Sequence, residues 1–390
     1  MRIVHTSDWH AGRIWKSRSR LDELQQILEH LGDFIERERI DLVLMSGDVY
    51  DSAAPAPEAE RTVSAFFKRL GRAAVPSVVI AGNHDNPTRL DAWGLLAEFV
   101  GVRTLGLPRR RTEGGLIEIA GKGGEVACIA AVPFAPVGRI VEALTLAHDE
   151  TLARQQYASA MAAIFAHLAD GFRANAINLA MGHSHVSGAR PTGSERVVTL
   201  GDDWAATPQA MPVTAQYVAL GHIHRPQRVE AAGPHTEYAG SPMQLDFGEV
   251  GERKTFAVID VMPGKPPRVE HVPYTGGVEL GDWGGRWPEL ETAADDLRRF
   301  GYLRVRVTLD TPMTDLNRVV RQLLPNAVVV EAVLPQPAET GVTPAAAAAS
   351  PVDRFRAFYE ERHQRPPQDE TLALFNELYA RAEAAGGGGE

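Results

Sequence analysis

Five short polar runs in this chain each follow an apolar run, and each carries side chains that bind cations or move protons. "SDWH" holds Asp8 and His10, "SGDVYD" holds Asp48 and Asp51, and "GNHD" holds Asn83, His84 and Asp85. Later, "AMGHSH" holds His183 and "ALGHIH" holds His222 and His224. A single histidine at a strand end is more often a hydrogen-bonded surface residue, so no run means much alone. The ordered set means more. Two aspartates, one asparagine amide and four imidazoles gathered in one pocket are costly unless compensated. Divalent cations compensate them directly, and mixed nitrogen and oxygen donors suit Mn, Fe or Zn better than Ca or Mg. Seven donors exceed the needs of one ion. They suit a pair roughly 3.5–4 Å apart with a carboxylate between them. Asn83 then supplies a neutral oxygen that adds no charge. Gly47, Gly82, Gly182 and Gly221 precede four of the donors and let the backbone turn sharply there.

Such a set converges only if the preceding runs are neighbouring strands, about 4.8 Å apart, with their carboxyl ends on one side. The pattern predicts this. "RIVHTSD", "DLVLMSGD" and "SVVIAGNHD" read as strands, while "LDELQQILEHLGDFIER" and "EAERTVSAFFKRL" carry apolar residues at helical spacing. Alternation of this kind predicts a largely parallel sheet. "GLIEIAG" and "EVACIAAV" read as an antiparallel pair, a helix follows near 149–170, and "INLAMGH", "QYVALGH", "PQRVEAA", "TEYAG", "TFAVIDV" and "PRVEHVPY" make a β-rich second half. The expected fold class is α/β: two stacked mixed β-sheets flanked by helices, a small α/β capping domain and a C-terminal helical hairpin. The expected boundaries are 1–277 for the main domain, 278–334 for the cap, 335–350 for a Pro/Ala linker, 351–385 for the helix-loop-helix and 386–390 for a disordered glycine tail.

Composition limits the partners. Of 390 residues, 44% are apolar, enough for a sizeable core, and the formal charge is −10, which argues against a general basic surface for nucleic acid. Any polyanion needs local basic patches or metal ions. The one cysteine, Cys128, lies in a strand and allows no disulfide within the chain. No signal-peptide core and no run of roughly 18 apolar residues is present, so the expected location is cytoplasmic.

The ordered set DxH, GDxxD, GNHD, GH and GHxH resembles that of the calcineurin-like metallophosphoesterases. "IVHTSDWHAGR", "QYVALGHIHRPQ" and "YAGSPMQLDFGE", the last at 238–249, are similar to stretches of one branch, the SbcD nucleases. That resemblance implies the metallophosphoesterase fold, with Asp8, His10 and His224 on one ion, Asn83, His183 and His222 on the other, and Asp48 bridging. It implies two Mn²⁺, with Mg²⁺, Fe²⁺ or Zn²⁺ as alternatives. His84 is then free of metal and placed to assist the leaving oxygen, as a neutral-pH proton donor can. Asp85 either holds the His84 tautomer or caps the following turn, and Asp51 orients a ligand from behind. His185 stands where the family commonly has a small or apolar residue, and the Gly-His pattern favours His183 as the ligand.

Basic and aromatic residues suggest partners. "RIWKSRSR" puts Arg13, Lys16, Arg18 and Arg20 in a loop just after "DWH", with no acidic residue. "YLRVRVTLD" points Arg304 and Arg306 to the face opposite Leu303, Val305, Val307 and Leu309. Both sets are expected to contact DNA phosphates, which position a duplex without reading it. "PRRR" at 108–111 is a third cluster of undecided role. In the tail, Phe355, Phe358 and Tyr359 form one stripe and Phe375 and Tyr379 belong to another. They either pack back on the core or dock a partner. The family resemblance implies a homodimeric, Mn-dependent nuclease subunit, associated with the nucleoid and working in DNA repair and recombination. Such a subunit acts as a 3′-to-5′ exonuclease on double-stranded DNA and an endonuclease on hairpin and single-stranded DNA, with an SbcC-type coiled-coil ATPase on its tail. The rivals are a phosphoesterase for small molecules or phosphoproteins, and a scaffold of the same fold without catalysis.

Overall fold

The computed structural model describes residues 1–135, 150–195, 205–334, 351–363 and 365–386. The expected linker at 335–350 lies outside them, as do residues 387–390 of the expected tail. Two six-stranded mixed sheets form the main body. The first runs β14 (Arg268–Pro273), β13 (Thr255–Asp260), β1 (Arg2–Thr6), β4 (Leu42–Met45), β5 (Ser77–Ile80), β6 (Val102–Leu105). The second runs β11 (Gln227–Arg228), β12 (His235–Tyr238), β10 (Tyr217–Gly221), β9 (Ile177–His183), β8 (Val126–Val132), β7 (Leu116–Ala120). In the first, β1, β4, β5 and β6 are parallel, with β6 at one edge, and β13 and β14 extend the other side antiparallel; in the second, four central strands are parallel and an antiparallel strand closes each edge. Parallel strands are covered on both faces, which is why β4 and β5 read as unbroken apolar runs.

One face of each sheet meets the other across Ile3, Leu44, Ile80, Ile129, Leu179 and Met181, all buried. The outer face of the first sheet packs α1 (Leu21–Arg37) and α2 (Pro57–Arg72) through Leu24, Leu28, Leu31, Phe66 and Phe67, with Trp9 among them. The second sheet packs α4 (Glu150–Ala169) through Tyr157, Met161, Phe165 and Leu168. Apolar periodicity does not announce α3 (Pro87–Ala97), because its Leu95 and Leu96 face solvent and its apolar residues share no single face.

A buried polar chain crosses this apolar interior. Ser46 donates to Nε2 of His5 (2.9 Å), His5 Nδ1 donates to the Tyr217 hydroxyl (2.8 Å), and Tyr217 donates to Glu237 (2.8 Å). The other oxygen of Glu237 takes His235 (3.1 Å) and His271 (3.2 Å). The chain thus joins β1 and β14 of one sheet to β10 and β12 of the other, ending on the residue before Gly47 and Asp48.

The three-stranded sheet β15 (Leu280–Arg286), β16 (Tyr302–Thr308), β17 (Ala327–Val333) carries α5 (Trp287–Leu297) and α6 (Leu316–Leu323). Residues 1–307 and 314–331 form one compact unit; residues 308–313 and 332–390 form the second. In the second unit, α7 (Pro351–His363) and α8 (Asp369–Gly386) make a hairpin closed by Phe355 on Phe375, stacked 4.2 Å apart. Phe355 and Phe375 thus hold the hairpin together, and both stay half-buried. Among the described residues of the hairpin, Phe358, Leu374 and Leu378 are exposed large apolar side chains. The side chain of Tyr379 lies outside the described residues.

The expected basic loop is a hairpin. β2 (Ile14–Trp15) pairs β3 (Arg18–Ser19) across Lys16 and Ser17, whose φ of 48° and 61° give the two-residue turn that suits strand twist. Trp15 anchors it, packing with Phe247 and Leu280.

Burial holds the His5 imidazole down to about 4 from its usual 6.5. As pH falls, the unfolded chain therefore protonates first, and stability present above pH 6.5 is lost toward pH 4. The shift is worth about 3 kcal/mol at roughly 1.36 kcal/mol per unit. Urea midpoints should show this loss, and His5→Gln should remove it from the profile.

Candidate metal centre

All seven expected donors meet at the carboxyl ends of β1, β4, β5, β9 and β10. Asp8, His10 and His224 place one ligand atom each within 4.8 Å of one another, as do Asp8, Asp48 and His183. Asp48 also groups with His10 and His84, which puts it between the two sides of the cluster. Asn83 Oδ1 stands 2.9 Å from both His183 Nε2 and His222 Nδ1. His183, rather than His185, lies in the cluster.

The backbone is bent hard to achieve this. Asp8, His10, Asp48 and His222 have φ of 53°, 47°, 52° and 102°, a region that non-glycine residues seldom occupy and that collects at functional sites. Amide bonds hold the bends: Asp8 N–H donates to Gly47 O (3.0 Å) and His10 N–H to Asp48 O (3.1 Å). His222 N–H donates to Asp8 Oδ1 (3.0 Å). The glycines serve close approach more than turning. A Cβ on Gly82 would lie 2.1 Å from Asp48 Oδ1, and one on Gly47, at φ +94°, would lie 2.3 Å from the His183 ring.

Hydrogen bonds decide which imidazole nitrogens are bare. His183 donates Nδ1–H to Ser46 O (2.8 Å), so its Nε2 lone pair faces the Asn83 oxygen and Asp48 Oδ2 (3.6 Å). His10 donates Nδ1–H to Asp51 (3.1 Å). His224 donates Nδ1–H to Ser194 Oγ (2.6 Å), whose own proton goes to Glu249. The Nε2 lone pairs of His10 and His224 therefore face each other at 3.2 Å. Burial holds His10 down to about 4 and lowers His183 and His222 as well, so it favours the neutral form of these three rings. The Asn83 amide nitrogen is buried without a partner among the described residues, while its oxygen points at the bare Nε2 of His183. Acceptors aimed at acceptors fit cations between them.

The carboxylates agree. Burial, then the charge of Asp48, pushes Asp8 well above the usual range. Burial also opposes charge on Asp48, but His183, His10 and His84 outweigh it and hold the group at about 2. Asp48 is the anion that stays charged in the middle.

Three expected roles change. Asp85 touches neither the His84 ring nor the helix start. It accepts N–H groups of Val49 (3.2 Å), Tyr50 (2.9 Å) and Gly82 (2.8 Å), tying the Asp48 loop to the Asn83 loop. His84 instead donates Nδ1–H to Asp51 O (2.8 Å), and Asn86 caps α3. Arg20 is buried, clamped by Glu23 (2.6 and 2.8 Å) and Gln244 O (3.0 Å), which removes it from any nucleic-acid surface. Arg13 spends its charge on Asp51 (3.0 Å). Asp51 itself orients His10. Sequence reading missed Ser46, Ser194, Glu195 and Glu249. Their contacts are long-range, and neither a serine nor a lone glutamate carries ligand spacing. Glu195 accepts His224 N–H (3.0 Å).

Residues 1–226 match the calcineurin-like phosphoesterase family. Over 390 residues, the chain is 33% identical to the SbcD subunit of the SbcCD nuclease of Bacillus subtilis, covering 98% of this chain and 99% of that protein. The SbcD subunits of Rhodobacter capsulatus and Escherichia coli are 32% and 30% identical, over 81% and 83% of this chain and 82% of each relative. The chain belongs to the SbcD branch of the calcineurin-like phosphoesterases. This SbcD homologue is a metallophosphoesterase, and its buried His/Asp cluster is the metal-binding site. No helix among its described residues is long and apolar enough to cross a membrane.

Metal-free SbcD homologue should take up two divalent ions in a calorimetric titration, with a rise in Tm. Asn83→Ala should take up one. Asp48→Asn should weaken both by at least 10-fold, since both sides of the cluster use it. Two ions bound unchanged by Asn83→Ala would refute the assignment of that side.

Proposed function

We propose that this protein is the Mn²⁺-dependent nuclease subunit of a DNA-repair complex, cutting double-stranded ends and hairpins with a coiled-coil ATPase as partner. The carrying observation is the opposed set of bare imidazole nitrogens, combined with full-length similarity to proteins named as a nuclease subunit. Asp8, His10 and His224 would hold one ion, Asn83, His183 and His222 the other, and Asp48 would bridge. When bound, the two ions neutralise the phosphodiester and supply an activated water. The chain's own groups do the rest. Asp51 and Ser194 fix the His10 and His224 rings. His84, with Nδ1–H committed to the Asp51 carbonyl, presents Nε2, which in the protonated ring carries the proton that passes to the leaving oxygen and leaves the ring neutral.

The basic surface supports DNA as the substrate. Lys16 and Arg18 are exposed on the β2–β3 hairpin. Arg18 lies over the Tyr302 ring at 5.9 Å and Trp15 meets the same ring edge-on at 5.8 Å, so hairpin and small sheet form one surface. Arg304 and Arg306 share the Asp282 carboxylate and together leave one positive charge there. Phosphate binding thus falls mainly to Lys16 and Arg18.

His84→Ala should keep two ions and lose about 100- to 10,000-fold in cleavage of hairpin DNA. Near-wild-type cutting would overturn that role, and cutting of a chromogenic phosphodiester but no DNA would overturn the nuclease reading. Lys16→Glu with Arg18→Glu should reduce the log–log salt slope of DNA binding by about 0.9 for each phosphate no longer neutralised. For the tail, Phe358→Ala with Leu378→Ala should abolish capture of the ATPase at unchanged Tm, whereas Phe355→Ala should melt the hairpin. Normal capture by the first variant would remove that face as the docking site.

A further inference from the structure

One stretch, residues 241–254, touches both the metal centre and the small sheet. At one end, Gln244 uses its whole amide. Its oxygen accepts Leu280 N–H (2.7 Å), the first residue of β15, and its nitrogen donates to Glu252 O (3.1 Å). Beside it, buried Arg20 binds Gln244 O and holds Glu23, which accepts Val278 N–H (3.0 Å). Chain entry into the small domain is thus gripped by Gln244 and the Arg20–Glu23 pair. At the other end, Lys254 reaches Glu252 (3.1 Å), Glu249 (2.6 Å) and the carbonyl of His224 (2.9 Å). Glu249, fully buried, also accepts Leu245 N–H (3.0 Å) and the Ser194 hydroxyl that orients the His224 ring.

We propose that Gln244 is a positioning residue that couples the seating of the small domain to the ion held by Asp8, His10 and His224. The inference rests on the reading of those three residues as ligands. Lys254 and Glu249 fix both the backbone and the ring of His224, so displacing residues 244–252 turns the ring away from His10. Loss of the Leu280 bond displaces them, and it leaves a buried donor and acceptor unpaired. Conversely, an ion that draws His224 into place holds Gln244 against Leu280, as linkage requires. The grip on the small domain therefore tightens when the site is loaded, and DNA drawn onto that domain favours the loaded site.

The test is hydrogen exchange at the Val278–Leu280 amides of the full chain, metal-free and with Mn²⁺. Mn²⁺ should slow exchange there several-fold in wild type and not in Gln244→Met, which keeps volume and loses both bonds. In a Mn²⁺ titration, Gln244→Met should weaken one ion by about 10-fold or more and leave the other unchanged. If Gln244→Met does not fold, the wild-type exchange comparison still decides, and Gln244→Glu, which keeps the acceptor for Leu280, should keep both ions and the Mn²⁺-dependent slowing; loss of one ion in that variant would overturn the part given to the Leu280 bond. Wild-type amides that exchange equally with and without Mn²⁺ overturn the coupling, as does equal weakening of both ions. A wild type that binds no Mn²⁺ marks failure of the metal reading instead.

Discussion

Bare imidazole nitrogens pressed against one another, and against an amide oxygen, in a closed interior are tolerable only with positive charge between them. That opposition is the constraint around which this protein is arranged. It requires acceptors on the far side of the His183, His10 and His224 rings, and those are Ser46 O, Asp51 and Ser194. It requires left-handed backbone at Asp8, His10, Asp48 and His222, so that five strand ends deliver side chains to one volume. Strain of this kind costs roughly 1–3 kcal/mol per residue and persists only where the surroundings over-determine it. Asp85 is part of that surrounding: one carboxylate takes three amides from two loops that would otherwise move independently.

The interior also carries a polar chain that an apolar sandwich does not need for stability. Ser46 through His5 and Tyr217 to Glu237 runs between the sheets and stops where the Ser46 carbonyl takes His183. A one-residue slip of β1 against β4 would break it, so it pins the register that brings Asp8 and Asp48 together. Packing of Ile, Leu and Val alone tolerates more variation than this site can.

Charge is handled locally. On the proposed function, a chain of net −10 would approach a polyanion through local exposed cations and, when loaded, its ions. Several arginines that look free in the sequence are paired: Arg20 is clamped to Glu23, Arg13 serves Asp51, and Arg304 and Arg306 share one carboxylate, Asp282. Each is a structural tie near the site, and the exposed Lys16 and Arg18 lie on a hairpin whose Trp15 packs into an apolar cluster with Phe247 and Leu280.

Much of this is legible from residue types and their spacing alone. Strand–helix alternation set the two-sheet architecture, because apolar periodicity of 2 and 3.6 leaves few ways to bury each face. The ligand set was legible because residues at strand exits must converge once the strands are parallel. The partners of Asp85, Arg20, Arg13, Phe355 and Phe375 within the chain were not, because each is brought near only by folding: amides across a loop, a carboxylate one helical turn away, a ring on the next helix. Likewise α3 hid because its apolar residues share no face, and Ser194 and Glu249 because their contact with His224 spans 30 and 25 residues. Residue type and spacing determine what chemistry a side chain can do; only tertiary packing decides which neighbour it does it with, since hydrogen bonds and ion pairs act over a few ångströms regardless of distance along the chain.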